Sequence, residues 1–485
     1  MPPRRPPFAH TALTATALAS VLLATPLQAS PDAASPDELT GGATTVWADG
    51  KNAFSFPAAN LNDEERTRFV IGNSFFKRNW VQAPASTKVR DGIGPHFIAR
   101  SCGGCHVLDG RGAPPELDAR GRHAPPTEML VRLSIPGTPN AQDGVRPEPI
   151  YGDQFNNAAV EGVKPEGTVR LRYTPVIGRF ADGTPYTLQK PHIRLTNLGY
   201  GPLAAGVMTS ARVAPQLMGI GLIEAIAEAD ILKNAADQAS APGPIKGQVN
   251  RVWDAPSQQI VTGRFGWKAN TGSIAHQSAG AFRGDMGITS PWATAEACTP
   301  AQKDCLSAPS GGHGGAFEID QATLEDVVFY QATLAPVARR TPADPQVRTG
   351  QALFEQAQCA SCHRPSYTTV EPMLAKTYPR LSSPALVGQT LWPYTDLLLH
   401  DMGPGLADGR PDFAASGSQW KTPPLWGLGL IKQVNGHQRL LHDGRARGVL
   451  EAILWHAGEA QAAQQQVLKM SKAERAALVA FVESL

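Results

Sequence analysis

Two stretches decide how this chain is read: Cys102-Gly103-Gly104-Cys105-His106 and Cys359-Ala360-Ser361-Cys362-His363. Each is Cys-x-x-Cys-His, the attachment pattern of a c-type haem. The two thiols form thioethers with the haem vinyl groups, and the adjacent histidine binds the iron as proximal ligand. A thioredoxin-type pair needs no following histidine and stands in a βαβ unit. A four-cysteine zinc site is the other way to use both pairs. Two full copies in a chain of only six cysteines favour two covalently bound haem c groups, on His106 and His363.

The 485 residues leave room for about two to four domains. Hydrophobic residues make up 42 % of the chain, enough for sizeable cores, and the net charge of +2 leaves no footprint for nucleic acid. The 47 glycines and 42 prolines fit a loop-rich protein wrapped around cofactors. Residues 1–29 read as an export signal, with Arg4 and Arg5 ahead of an apolar Thr11-to-Thr25 run and Leu27-Gln28-Ala29 as the cleavage site. The expected location is the periplasm, where covalent haem attachment takes place. No cysteine follows the cleavage site to take a lipid anchor, and no later apolar run is long enough for a transmembrane segment.

Residues 30–60 read as an extended lead-in rich in Pro, Ala, Ser and Gly. Asn62 to Glu65 is a capping box opening a helix with Phe69, Phe76 and Trp80 on its buried face. Phe97 and Phe354 each stand five residues before a haem motif, which suggests two related units. Residues 110–212 suggest loops and a few short strands, such as Thr168 to Tyr173. Leu217 to Ala236 is the best helix of the middle region. Cys298 and Cys305 are placed for a local disulfide in an oxidising compartment. Arg340 to Asp344 is a linker, Val347 to Gln358 a helix into the second motif, and Ser471 to Glu474 a second capping box before Leu478, Phe481, Val482 and Leu485. The expected fold is mainly α: two cytochrome c-like helical haem domains, 61–338 enlarged by insertions and 339–485, with long loops and a few short strands.

The chain resembles the bacterial di-haem c-type oxidoreductases of peroxidase type over roughly residues 45–485. The match rests on Arg100 to His106 with Asp109 to Gly112, Phe265 to Ala269, Asp285 to Thr289, Leu399 to Gly403, Pro424 to Gly427, Leu441 to Arg445 and Glu451 to His456. A remoter similarity, in short segments, runs to di-haem cytochrome c peroxidases and to the di-haem enzyme that matures methylamine dehydrogenase. There a His-Asp-Gly motif precedes the far axial ligand, Met or Tyr, by fourteen residues. Here His442-Asp443-Gly444 precedes His456 by that interval, so the resemblance implies His456 as sixth ligand opposite His363. Met402 is the rival, and it would raise the potential of that haem.

The same resemblance maps Trp267 onto a tryptophan between the haems and Asp285 onto the distal carboxylate. An indole relays electrons, and a carboxylate over an open iron moves the proton of hydrogen peroxide. The plainer readings are a core tryptophan and a turn-capping aspartate. Met286 is a candidate to close the first iron. His123 is a candidate removable ligand, with a surface histidine as its plainer reading. Arg100, Arg111 and Arg445 are candidates for haem propionates. Calcium occurs in some relatives, but no acidic cluster here demands it. The expected function is peroxidase-like catalysis at haem 1, with haem 2 passing electrons from an external electron-transfer protein. The alternatives are a di-haem carrier without substrate and a haem-dependent oxygenase. A thiol oxidoreductase fits worst, because haem attachment consumes the thiols.

Overall fold

The computed structural model describes Met1 and residues 37–116, 124, 126–312 and 316–485. The export signal, the start of the lead-in and His123 lie outside the described residues. The first helix, Asp63–Lys77, opens on a complete capping box between Asn62 and Glu65. It packs on the helix Gln321–Ala332, with Phe69 and Phe76 both against Tyr330 at ring-centroid distances of 4.7 and 5.2 Å. Gly72 permits the approach, since a Cβ there would stand 2.0 Å from the Asp326 carbonyl oxygen.

The second half repeats the device. The helix Pro345–Gln356, capped by the Asp344 side chain, packs on Lys472–Ser484. A Cβ on Gly350 would stand 1.9 Å from the Ala477 carbonyl oxygen, and Phe354 meets Phe481 at 5.1 Å. The internal repeat is therefore Gly72-x-x-x-Phe76 and Gly350-x-x-x-Phe354. Counting back from the motifs pairs Phe354 with Phe97 instead, and the structure corrects this. Phe97 sits in the short strand His96–Phe97, paired with Ala158–Ala159. The rings facing the motif histidines are Phe76, 6.3 Å from His106, and Phe354, 6.3 Å from His363. The second motif follows its helix almost directly, whereas the long segment from Arg78 to Ser101 separates the first motif from its own.

The expectation of a mainly α fold is wrong. Helices hold 31 % of the structure and strands 18 %, in several small sheets. Most strands lie between residues 129 and 262. Met129–Ser134 is flanked by Gln154–Phe155 and Met208–Val213 in one sheet, and Thr168–Arg179 pairs with Pro185–Thr196 in a long hairpin. Near its base the hairpin buries Val169 and Leu171 on one face while Arg170 and Arg172 on the other stay in water, and the pairing continues past Tyr173 to Arg179. The expected helix from Leu217 to Ala236 is also broken, into Ile220–Glu224 and Glu228–Ser240. The Arg264 guanidinium sits at the break and donates to the carbonyls of Ile223, Glu224 and Ile226, so they cannot all serve helix bonds.

Two further arrangements position the site. The described part of the lead-in is stitched to residues 333–339, through Ala58 N to Thr333 O, Val46 N to Pro336 O and an Asp37–Arg339 ion pair. A ribbon pairs Leu399–Asp401 with Gln419–Lys421, setting His400 opposite Trp420. Cys298 and Cys305 are disulfide-bonded. Among the described residues, no helix is long and apolar enough to cross a membrane.

Candidate functional site

Each Cys-x-x-Cys-His opens onto its own cavity, of about 210 Å³ at the first motif and about 220 Å³ at the second. At the first, Cys102–Cys105 forms a single helical turn, and His106 closes it by donating its N–H to the Cys102 carbonyl at 2.9 Å. His106 Nδ1 lies 2.8 Å from the Pro215 carbonyl oxygen, so Nδ1 carries the proton and Nε2 is left as the lone-pair nitrogen. Burial holds its pKa down and the ring neutral, the ligating form. Asp109, fully buried behind the motif, receives Tyr330 Oη and pairs with Lys77 at 3.1 Å. The second motif matches it. His363 N donates to the Cys359 carbonyl at 2.9 Å, and His363 Nδ1 faces the Tyr394 carbonyl at 3.0 Å. Burial lowers its pKa to about 4. Burial also pushes the Cys102 and Cys359 thiols up to about 12, the reverse of an activated redox thiolate.

Four histidines line the second cavity: His363, His400, His442 and His456. His400 has both nitrogens occupied, at 2.7 Å from Glu459 and 2.8 Å from Asp396. Burial alone would lower its pKa, but these hydrogen bonds raise it to about 12, so it stands as a fixed imidazolium. It also lies close to Cys362 and Asp396, the one group of three metal-type ligands among the described residues, and its ion pairs account for that grouping. His442 stacks on Trp420 at 3.6 Å and 9°, with Nε2 3.5 Å from Asp443. His456 differs from both. Its Nδ1 is tied to the Ala452 carbonyl at 2.7 Å, like the motif histidines, and its Nε2 has no hydrogen-bond partner among the described residues. Met402 lines the same cavity.

The first cavity carries a different set. Asp285 and Met286, from the end of the helix Ile274–Met286, both line it. Asp285 Oδ1 accepts from Gln154 Nε2 at 2.8 Å. Burial raises its pKa, opposed by the Arg132 charge and the Gln154 hydrogen bond. Arg132 also lines this cavity and is anchored to Asp153 at 2.7 Å. Arg132 and Gln154 face each other across neighbouring strands, so one sheet delivers both groups toward Asp285.

Trp267, Arg111 and Lys421 line both cavities. Trp267 Nε1 donates to Val213 O at 2.9 Å, and the Arg111 guanidinium lies 4.8 Å from its ring centroid. Arg111 donates to the carbonyls of Arg439 and Leu441 and to Gln216, none of them an anion, and burial lowers its pKa to about 9. Burial likewise lowers Lys421 to about 8, and no ion pair of its ammonium is found among the described residues. Two cations with no carboxylate partner among the described residues, in the wall between the cavities, fit an anionic cofactor edge. Together with the paired cysteines and the Nδ1-anchored histidines, they make a donor set suited to haem. Arg100 is exposed and lies over Phe97, and Arg445 is spent on a bidentate pair with Asp443.

Sequence reasoning missed Arg132, Gln154 and Lys421. The signal available was an arginine between Val131 and Leu133, which are both buried, in a strand whose other face is half-buried. No curated protein and no solved structure matches the chain. A family model does match, over residues 36–151 and 165–485, and its description is "di-haem oxidoreductase, putative peroxidase". Two cavities with haem-type donor sets and one tryptophan in the wall between them agree with that description, and the chain belongs to this di-haem oxidoreductase family.

Proposed function

We propose that this is an exported, two-haem c-type enzyme that reduces hydrogen peroxide at the first cavity and takes its electrons in through the second. The observation that carries the reading is Asp285, a half-buried carboxyl of raised pKa on the cavity of His106, beside Arg132 and Gln154. Haem, when bound through Cys102–Cys105 and Cys359–Cys362, supplies the redox chemistry. The chain's own groups handle the protons. The Asp285 carboxylate takes a proton from one peroxide oxygen and returns it to the other, which leaves as water. Arg132 holds positive charge where negative charge develops on the leaving oxygen. Gln154 fixes the carboxylate from the far side, so it reorients little during the transfer.

At the second cavity His363 and His456 would hold the haem iron through Nε2, because each has Nδ1 bound to a backbone carbonyl. Trp267 is the relay. Residues 1–29 support export, and Cys-x-x-Cys-His supports covalent attachment in the periplasm. The carrier reading keeps one supporting observation, the Met286 thioether on the first cavity. Electron paramagnetic resonance of the oxidised holoprotein separates the two. A high-spin signal beside a low-spin one, lost on adding peroxide, supports the enzyme. Two low-spin signals indifferent to peroxide, in both the oxidised and half-reduced protein, support the carrier.

A further inference from the structure

The long hairpin Thr168–Arg179/Pro185–Thr196 has two unlike faces. Val169 and Leu171 are buried on the inner one, while the outer one presents Arg170, Arg172, Lys190, His192 and Arg194, all exposed. Register sets Arg170 opposite Arg194 and Arg172 opposite His192. Like charges facing across strands weaken a hairpin, so this face has no structural reason to be basic. Between residues 168 and 196 there are five Lys and Arg and a single acid, Asp182, while the whole chain has a net charge of only +2. Asp182 is spent on Arg475 at the hairpin's turn. No ion pair of Arg170, Arg172, Lys190 or Arg194 is found among the described residues.

The inner side ties this face to the second cavity. Arg447 Nη2 donates to Thr187 O at 2.6 Å, and Arg439 Nη1 reaches Gln189 Oε1 at 3.5 Å. Both arginines belong to the loop that contributes Leu440, Leu441 and His442 to the second cavity wall. A partner seated on the hairpin is thus one ribbon and one loop from that cavity.

We propose that the basic outer face of this hairpin is the docking surface for an acidic electron-transfer protein, which delivers electrons to the second haem. The occupant follows from charge complementarity: an uncompensated cationic face steers an anionic partner and accelerates encounter. The inference rests on electron entry through the second haem and not on peroxide chemistry. The test is therefore anaerobic and contains no peroxide.

Stopped-flow absorbance follows reduction of the ferric holoprotein by a reduced acidic blue copper protein, and in parallel by a reduced basic cytochrome c. The expected rate constant with the acidic donor falls about tenfold or more from low to high ionic strength. The double variant R170E/R172E is expected to slow that donor about tenfold or more at low salt and to flatten its salt dependence, with reduction by dithionite unchanged. If the double variant is not recovered folded, R170E serves, because it turns the pair with Arg194 into an attractive one. Equal rates for wild type and variant with the acidic donor overturn the proposal. So does faster reduction by the basic cytochrome, or variant-sensitive binding to phosphatidylglycerol vesicles with no effect on the acidic donor.

Discussion

Replacing Asp285 with Asn isolates the proton-transfer role, because the geometry survives the exchange. The Gln154 amide donates to Asp285 Oδ1 at 2.8 Å, and an asparagine oriented with its oxygen there accepts the same bond. Arg132 keeps Asp153 at 2.7 Å and is not orphaned. What is lost is the proton acceptor, and general acid–base groups contribute about 10² to 10⁴ in rate, or about 3–5 kcal/mol of barrier. Peroxide-dependent oxidation of a reduced donor should fall by that factor, with little change in the peroxide concentration at half rate. The stability effect has the opposite sign. The folded carboxyl is raised above its unfolded value by burial, so its ionisation opposes folding at every pH above that unfolded value. D285N removes the opposition, and its Tm at pH 7 should equal or exceed that of wild type. The pH profile gives a third reading, since wild-type turnover declines as pH falls through the raised Asp285 pKa while the variant's residual rate lacks that limb. A D285N enzyme with an undiminished rate and the same acid limb refutes the assignment.

Three further outcomes follow from the same geometry. His456→Ala should convert the second haem from a low-spin to a high-spin signal, while H456M should keep it low-spin at a higher potential. An unchanged low-spin spectrum in H456A moves the ligand to Met402, which M402A then tests. Gly350→Ala sets a methyl 1.9 Å from the Ala477 carbonyl oxygen, and overpacking against a backbone atom should cost about 1–3 kcal/mol, more than the roughly 1 kcal/mol that alanine gains over glycine in a helix. Gly72→Ala, 2.0 Å from the Asp326 carbonyl oxygen, should lose a similar amount in denaturant melts, and an unaltered midpoint in both would mean that the helix pairs are not held by close approach.

What the sequence made legible was local chemistry. The two capping boxes and the Cys298–Cys305 pair are each complete within a few residues and stand in the structure as read, and each equally local Cys-x-x-Cys-His motif lines a cavity of its own. The His442-to-His456 interval brought two histidines onto one cavity because a short helix and its turn separate them. Trp267 was reached through resemblance, and only the structure puts it on both cavities. Illegible features depend on convergence from distant segments. Arg132 and Gln154 meet across strands, and Asp285 joins them from a helix more than a hundred residues later. The break after Glu224 comes from Arg264, forty residues downstream, and overrides an unbroken helical pattern. The hairpin was undercounted because Thr174 to Ile177 are exposed on both faces and lack alternation, so only the first half of its pattern looks like a strand. The fold class failed for that reason: helices announce themselves by caps and periodicity, while small sheets announce themselves mainly by their partners.

The wall between the cavities sets how Trp267 can work. Its indole N–H is held by the Val213 carbonyl, a poor base, and its ring faces the Arg111 guanidinium at 4.8 Å. An electron removed from this ring would leave a cation beside a cation, with no carboxylate hydrogen-bonded to the indole to take the proton. Attraction between a guanidinium and the neutral ring is worth about 2 kcal/mol when desolvated, and oxidation converts it into repulsion. Burial weakens the hold of Arg111 on its proton but leaves its pKa at about 9, so the charge is present at neutral pH. On the proposed function, Trp267 would therefore be a bridge for electrons and not a resting place for an oxidised indole. Arg111→Gln retains donors for the Arg439 and Leu441 carbonyls and removes the charge. Freeze-quench paramagnetic resonance after peroxide should show no tryptophan radical in wild type and a detectable one in R111Q, absent again in R111Q/W267F. A tryptophan radical already present in wild type and lost in W267F would mean that the cation does not control this ring.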